Sequence, residues 1–175
     1  MARFIELKMK SLKELFPNKK LVIDQIIHYF NKESVELKAA ALATYDAATN
    51  EESKAENEYD IRGLEASYLA GAQAQRVSQV EELIYHLGEL NIREYSESVA
   101  ISSTAILELE YLNKKMKVII LPSGGGVHLR INDEILQIVT PQSPLGEALM
   151  GMYVGDVAIV DLGSVTKEYE ILDIC

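Results

Sequence analysis

The chain reads as an α+β protein of two domains, an N-terminal antiparallel helical coiled-coil hairpin followed by an antiparallel β domain with one short helix. Three observations predict this. From Lys19 to Ala48 there is neither Gly nor Pro, and apolar residues recur at alternating steps of three and four. A second stretch, from about Glu56 to Leu90, repeats that period. Beyond Leu90 the pattern changes to short runs of Ile, Leu and Val set between polar or glycine turns, which is the pattern of strands. The expected division is an N-terminal extension at 1–17, the hairpin at 18–92 with its tip near 49–58, and the β domain at 93–175.

Residues 1–16 carry Phe4, Ile5, Leu7, Met9, Leu12, Leu15 and Phe16, enough for a short helix that Pro17-Asn18 ends. The first long helix has a seam of Ile23, Ile26, Phe30, Ser34, Leu37, Ala41, Thr44 and Ala48, richest in large apolar residues near its start. Its far half is Ala-rich, which favours helix and lets a second helix approach. About 30 residues of helix span roughly 45 Å. The second seam reads Tyr59, Ala66, Leu69, Gln73, Val77, Val80, Leu83, Leu87 and Leu90, with Gly63 and Gly71 expected at close helix contacts or as weak points. Tyr59, Tyr68 and Tyr85 are expected to pack. Both seams strengthen away from residues 48–56, as in a hairpin anchored at its base.

Strands are expected at Val99–Leu112, Met116–Leu121, Val127–Ile131, Ile135–Val139, Val157–Leu162 and Glu168–Ile174, with turns at Asn113-Lys114-Lys115, Asn132-Asp133 and Gly163-Ser164. Ser143 suits a helix cap, Pro144 the first helical position and Gly151 the helix end. Gly124-Gly125-Gly126 lacks the Lys-Ser/Thr of a phosphate-binding loop and reads as a turn or bulge.

Composition excludes several functions. A net charge of −10 argues against wrapping nucleic acid, which takes clustered Lys and Arg. The first 20 residues run against that trend, with six cations against two carboxylates. No apolar run approaches the roughly 20 residues that span a bilayer, and no signal-peptide pattern is present, so a cytoplasmic protein without membrane contact is expected. The one cysteine, Cys175, excludes an intrachain disulfide and a multi-thiolate metal site, and reads as a free thiol on a frayed end. His28, His86 and His128 lack metal-ligand spacing. Ser102-Ser103-Thr104 has no nucleophile elbow around it. No enzyme site of the chain's own is visible, and neither a stable metal nor a tightly bound cofactor is expected.

The most informative segment is Asn50–Asp60. It places Glu51, Glu52, Glu56, Glu58 and Asp60 around a single Lys54 where the hairpin turns. Such a crowd repels itself, and folding does not require it. A rod with carboxylates at its far end can deliver oxygen ligands to a divalent metal held by a partner. The plainer alternative is an acid-rich helix start facing the helix dipole.

Two stretches resemble the bacterial GreA/GreB transcription elongation factors. One is Val139-Thr140-Pro141-Gln142-Ser143-Pro144-Leu145-Gly146-Glu147-Ala148-Leu149-Met150-Gly151, followed by Val154-Gly155-Asp156-Val157 and Glu168-Tyr169-Glu170-Ile171, which is similar to the family's C-terminal domain. The other is Glu56-Asn57-Glu58-Tyr59, similar to the tip motif at the start of the family's second coiled-coil helix. The run Tyr59–Ala70 resembles a short Gre-like subgroup.

The resemblance implies an FKBP-like C-terminal domain without isomerase activity, docked on the rim of the RNA polymerase secondary channel. Pro141, Ser143, Pro144, Gly151 and Asp156 would form or support that docking domain. It also implies a coiled coil reaching the active centre, where Glu51, Glu52, Glu56 and Glu58 would act on a Mg²⁺ shared with the polymerase. Contact with DNA and RNA would be indirect, and the factor monomeric. The family's cleavage-competent tip reads Asp-x-x-Glu-Asn-Ala-Glu-Tyr. Aligning on Glu58-Tyr59 puts Glu52 at the Asp position and Ala55 at the first Glu. Aligning on Glu56-Asn57 keeps that Glu and puts Ser53 at the Asp. No ungapped register keeps both acids, so a channel-blocking inhibitor without cleavage activity is an open alternative. A coiled-coil interaction module unrelated to transcription is the alternative from another class.

Overall fold

The computed structural model describes residues 10–49 and 62–175. They divide into a β unit, residues 10–22 with 91–175, and a helical unit of residues 23–49 and 62–90. Each is described by itself.

The helical unit holds most of α2 (Lys19–Thr49) and all of α3 (Arg62–Gly88). Ile23, Ile26, Phe30 and Ser34 of α2 are buried, as are Val77, Val80, Leu83 and Leu87 of α3. Leu37, Ala41 and Thr44 are half-buried, so the seam weakens along α2 as expected. Lys38 reaches Glu81 at 2.6 Å and Arg76 reaches Glu33 at 3.2 Å, tying the helices side to side. Such exposed pairs contribute about 0.2–1 kcal/mol each, so the buried seam carries the pairing. Three expectations fail on α3. Leu69 is 54% exposed, because the seam there has passed to small residues and Gln73. Tyr68 and Tyr85 are 72% and 66% exposed, since both lie off the buried positions. Of the two readings of Gly71 the close helix contact fails, since a Cβ added there would face open space, and the weak point stands. Tyr59 and Gly63 lie where no side chain is described.

The β unit contains one six-stranded sheet in the order β3-β4-β2-β1-β6-β5. Its strands are β1 Ile106–Tyr111, β2 Lys114–Ile120, β3 His128–Ile131, β4 Glu134–Val139, β5 Val157–Asp161 and β6 Thr166–Ile174. Neighbours pair antiparallel except β2 with β4, which run parallel. The hairpin β3–β4 causes this: the chain steps past β2 to the edge, and β4 returns between them. Leu112-Asn113 and Asn132-Asp133 form two-residue turns with every φ between 50° and 65°, the conformation whose twist suits tight hairpins. The first of these turns thus falls at Leu112-Asn113 and not at Asn113-Lys114-Lys115.

The first strand starts at Ile106 and not at Val99. Thr104 has φ 73° and is buried, and it turns the chain just before the strand. Its N–H donates to the Ile120 carbonyl at 2.7 Å, while its Oγ1 accepts the Arg93 N–H at 3.0 Å.

On one face, Leu107, Leu109, Val118, Ile120, Val139, Ala158, Ile171 and Ile174 pack with Leu149 of α4 (Pro144–Leu149). On the other, Asp173 points the same way as its register partner Glu108 and accepts the Leu12 N–H at 2.8 Å. That bond seats the one-turn helix α1 (Leu12–Leu15) against the sheet. Ser11 and Glu14 form a reciprocal capping box at its start. Leu12 and Phe16 are 1% and 2% exposed, and each such burial contributes roughly 1.5–3 kcal/mol. Asn132 donates to the Leu15 carbonyl at 2.7 Å. Residues 11–16 are therefore part of the β unit.

Lys19, one of the six cations among the first 20 residues, is not a solvated surface charge. Its side chain is buried, and Nζ donates to the carbonyls of Arg93 and Thr104 and lies 4.4 Å from the centre of the Tyr95 ring. Burial pushes its pKa down. Cys175 is not frayed. It is buried and exchanges both backbone hydrogen bonds with Ile106, at 2.9 and 3.0 Å.

Two glycines give opposite expectations. A Cβ at Gly146 would stand 1.9 Å from the Thr140 carbonyl oxygen, so Gly146→Ala is expected to lower stability by about 1–3 kcal/mol, with α4 displaced. At Gly71 the space is open, so Gly71→Ala is expected to stabilise α3 by about 1 kcal/mol. Thermal melts followed by helix and near-ultraviolet circular dichroism check both. Burial also pushes the Cys175 thiol up to about 11 from 9.0. At pH 8 its alkylation is expected to be about 100-fold slower in the folded protein than in denaturant. The stability that this burial contributes is present below pH 9.0 and is lost as the pH rises toward about 11. A pH series of melts, compared with Cys175→Ser, isolates that loss.

Candidate functional site

The tip acids Glu51, Glu52, Glu56 and Glu58 lie outside the described residues. The helices that lead to and from them are described, through Thr49 and from Arg62.

The proposed docking residues gather around α4. Ser143 caps the helix, its Oγ accepting the Gly146 N–H at 3.1 Å and donating to the Thr140 carbonyl at 2.8 Å. Pro144 stands in the first turn, where its missing N–H costs nothing. Gly151 ends the helix at φ 82°, a conformation that strains an L side chain, and its N–H donates to the Ile101 carbonyl at 2.9 Å. Asp156 accepts the Tyr153 N–H at 2.9 Å and closes the turn into β5. Ser143, Gly151 and Asp156 are thus held by bonds that shape the backbone. Pro144, Glu147 and Met150 are exposed on the same short element, and Pro141 is half-exposed before it.

Beside α4 is an open cavity of about 400 Å³, lined by Met116, Gly125, Thr140, Leu145, Val160 and Tyr169 among others. No motif in the sequence marks this cavity. The one signal of it is the glycine run Gly124-Gly125-Gly126. Gly124 and Gly126 do turn there, at φ 82° and 86°, while a Cβ on Gly125 would reach within 3.0 Å of Thr140 Cγ2. The missing side chain keeps that wall open.

The other candidates have structural surroundings. Tyr95 Oη lies 2.6 Å from Ser102 Oγ and donates to the Ser103 carbonyl at 2.7 Å, so this hydroxyl cluster braces the segment before β1. His28, His86 and His128 are exposed and separate. Among the described residues, no group of three or more His, Cys, Asp or Glu could hold a metal, and no helix is long and apolar enough to cross a membrane.

The chain is similar to several known proteins. Solved structures that resemble the chain include GreA factor homolog 1 of Thermus thermophilus, at 21% identity over 85% of this chain and 94% of that one, with a TM-score of 0.37. The Thermus aquaticus counterpart matches at 23% identity over 84% and 92%, with a TM-score of 0.37. A GreA/GreB elongation factor from Nitrosomonas europaea matches at 13% identity over 58% and 90%, with a TM-score of 0.34. No curated protein matches in sequence. The sequence model of the transcription elongation factor GreA/GreB C-terminal domain matches residues 96–175, which takes in every strand, α4 and the cavity beside it. Residues 96–175 are thus similar to the C-terminal domain of the GreA/GreB transcription elongation factors.

Proposed function

We propose that this protein regulates transcript elongation by inserting its helical hairpin into the secondary channel of RNA polymerase and placing tip carboxylates beside the polymerase's Mg²⁺. The observation that carries the reading is the pairing of a match to the GreA/GreB C-terminal domain with two long helices whose linking sequence, 50–61, is crowded with acids. The 31-residue α2 is roughly 45 Å long at 1.5 Å per residue, a length suited to delivery at a distance.

In a two-metal site the ions stabilise the attacking and leaving oxygens of the displaced phosphate. Glu51, Glu52, Glu56 and Glu58 would add hard oxygen ligands to the more weakly held ion. The protein itself would act as an accessory factor and not as the enzyme. Pro144 and the exposed face of α4 would contact the channel rim, with Ser143, Gly151 and Asp156 holding that element in shape.

A second reading is favoured by the tip itself. No ungapped register keeps both acids of the family's cleavage motif, and a hairpin without them would occupy the channel and inhibit. Purified backtracked elongation complexes distinguish the two. The first reading expects faster cleavage of the transcript's 3′ end, lost in the Glu52→Ala, Glu56→Ala double variant while polymerase binding persists. Inhibition by both proteins alike supports the second. Absence of polymerase binding sinks both.

A further inference from the structure

We propose that the outer edge of β5 is a docking edge for an extended, basic segment of a partner protein, which adds to the sheet as a further strand. This surface is distinct from the hairpin and does not depend on its reading.

β5 ends the sheet and pairs only with β6. The hydrogen-bond phase of that pair is set at both ends. The Ile171 N–H donates to the Asp156 carbonyl at 3.0 Å, and the Leu162 N–H donates to the Val165 carbonyl at 3.0 Å. Counting along the register between them, Ala158 and Val160 turn their peptide groups toward β6, and Val157, Ile159 and Asp161 turn theirs outward. No backbone hydrogen bond among the described residues takes up these outward groups. Sheet edges are ordinarily guarded by Lys, Pro, a bulge or a covering element. The sequence of β5, Val-Ala-Ile-Val-Asp, contains neither Lys nor Pro, and its pairing with β6 runs without a shift. Val157 and Ile159 are instead 44% and 59% exposed, presenting β-branched side chains on one side of the strand.

The charges around this edge select the partner. Glu170 lies across from Val157 and Glu168 across from Ile159, and both are exposed. Asp156 precedes the strand and Asp161 ends it. Lys167, the one cation on β6, is opposite Val160 and therefore faces the other side, above the Tyr111 ring. A strand laid against β5 meets apolar surface bordered by carboxylates, which fits Lys or Arg alternating with apolar residues. A second copy of β5 would bring its own Asp156 and Asp161 to this border, so like charges disfavour self-pairing.

The test uses the full chain and a peptide of about ten residues alternating Lys and Val, followed by amide hydrogen exchange in NMR spectra. Exchange at Val157, Ile159 and Asp161 is expected to slow roughly tenfold or more at saturation. A peptide of the same charge with every second amide N-methylated, and one alternating Glu and Val, should give no such protection. Ile159→Lys, a substitution at an exposed position, should abolish it while leaving the spectrum of the core unchanged. Equal protection by the N-methylated peptide, protection that survives Ile159→Lys, or no protection at these three amides overturns the proposal. So does protection that grows with protein concentration in the absence of peptide, because it would assign the edge to a second copy.

Discussion

The β unit is governed by one requirement: its central strands must be shielded from water on both faces. Ile106, Leu107, Leu109, Val118, Ile119 and Ile120 are all fully buried, though alternate residues point to opposite sides. A sheet with two apolar faces needs two covers. The short helix after Ser143 supplies one. The other comes from the far end of the chain, where Leu12 and Phe16 lie against the sheet. A single helical turn is too short to persist alone, so packing and its caps hold α1 in place.

The same requirement explains the buried ammonium of Lys19. A charge taken from water is costly unless it is hydrogen-bonded, and two backbone carbonyls with an aromatic face supply the compensation. One of those carbonyls belongs to Thr104, whose left-handed backbone points several polar groups at once toward their partners. Removing the side chain of either residue would leave polar groups buried and unpaired, a larger penalty than losing an exposed hydrogen bond.

Much of this was legible in the residues. Long helices with a recurring apolar seam, strands separated by Asn-Asp and Gly turns, and the Ser-Pro helix start are all local signals, and local signals survive in sequence. The parallel pairing of β2 with β4 was not legible, because it depends on where a hairpin inserts. Nor was the role of residues 11–16, whose partners lie more than 100 positions away. Tyr68 and Tyr85 mislead for a related reason: an aromatic residue at helical spacing packs only if the opposing helix meets that face. Among the candidate site residues, spacing identified the element built by Ser143, Pro144 and Gly151. The residue types also indicate that Ser143 and Gly151 serve the backbone as cap and helix end, but not that Pro144 is left as the exposed member. The acids of residues 51–60 are plain in the sequence because charge density needs no coordinates to be seen.

The register of β6 slips by one residue between Ile171 and Asp173, where Leu172 has no partner on β1. Strict alternation after Ile171 would send the carboxylate of Asp173 into the apolar layer beneath α4 and turn Ile174 away from it. The extra residue reverses the parity of the strand's last segment. Ile174 then falls opposite Leu107 in the core, and the carboxylate emerges on the far side, where the N–H of Leu12 meets it. One unpaired leucine thus decides which layer each end of the chain joins.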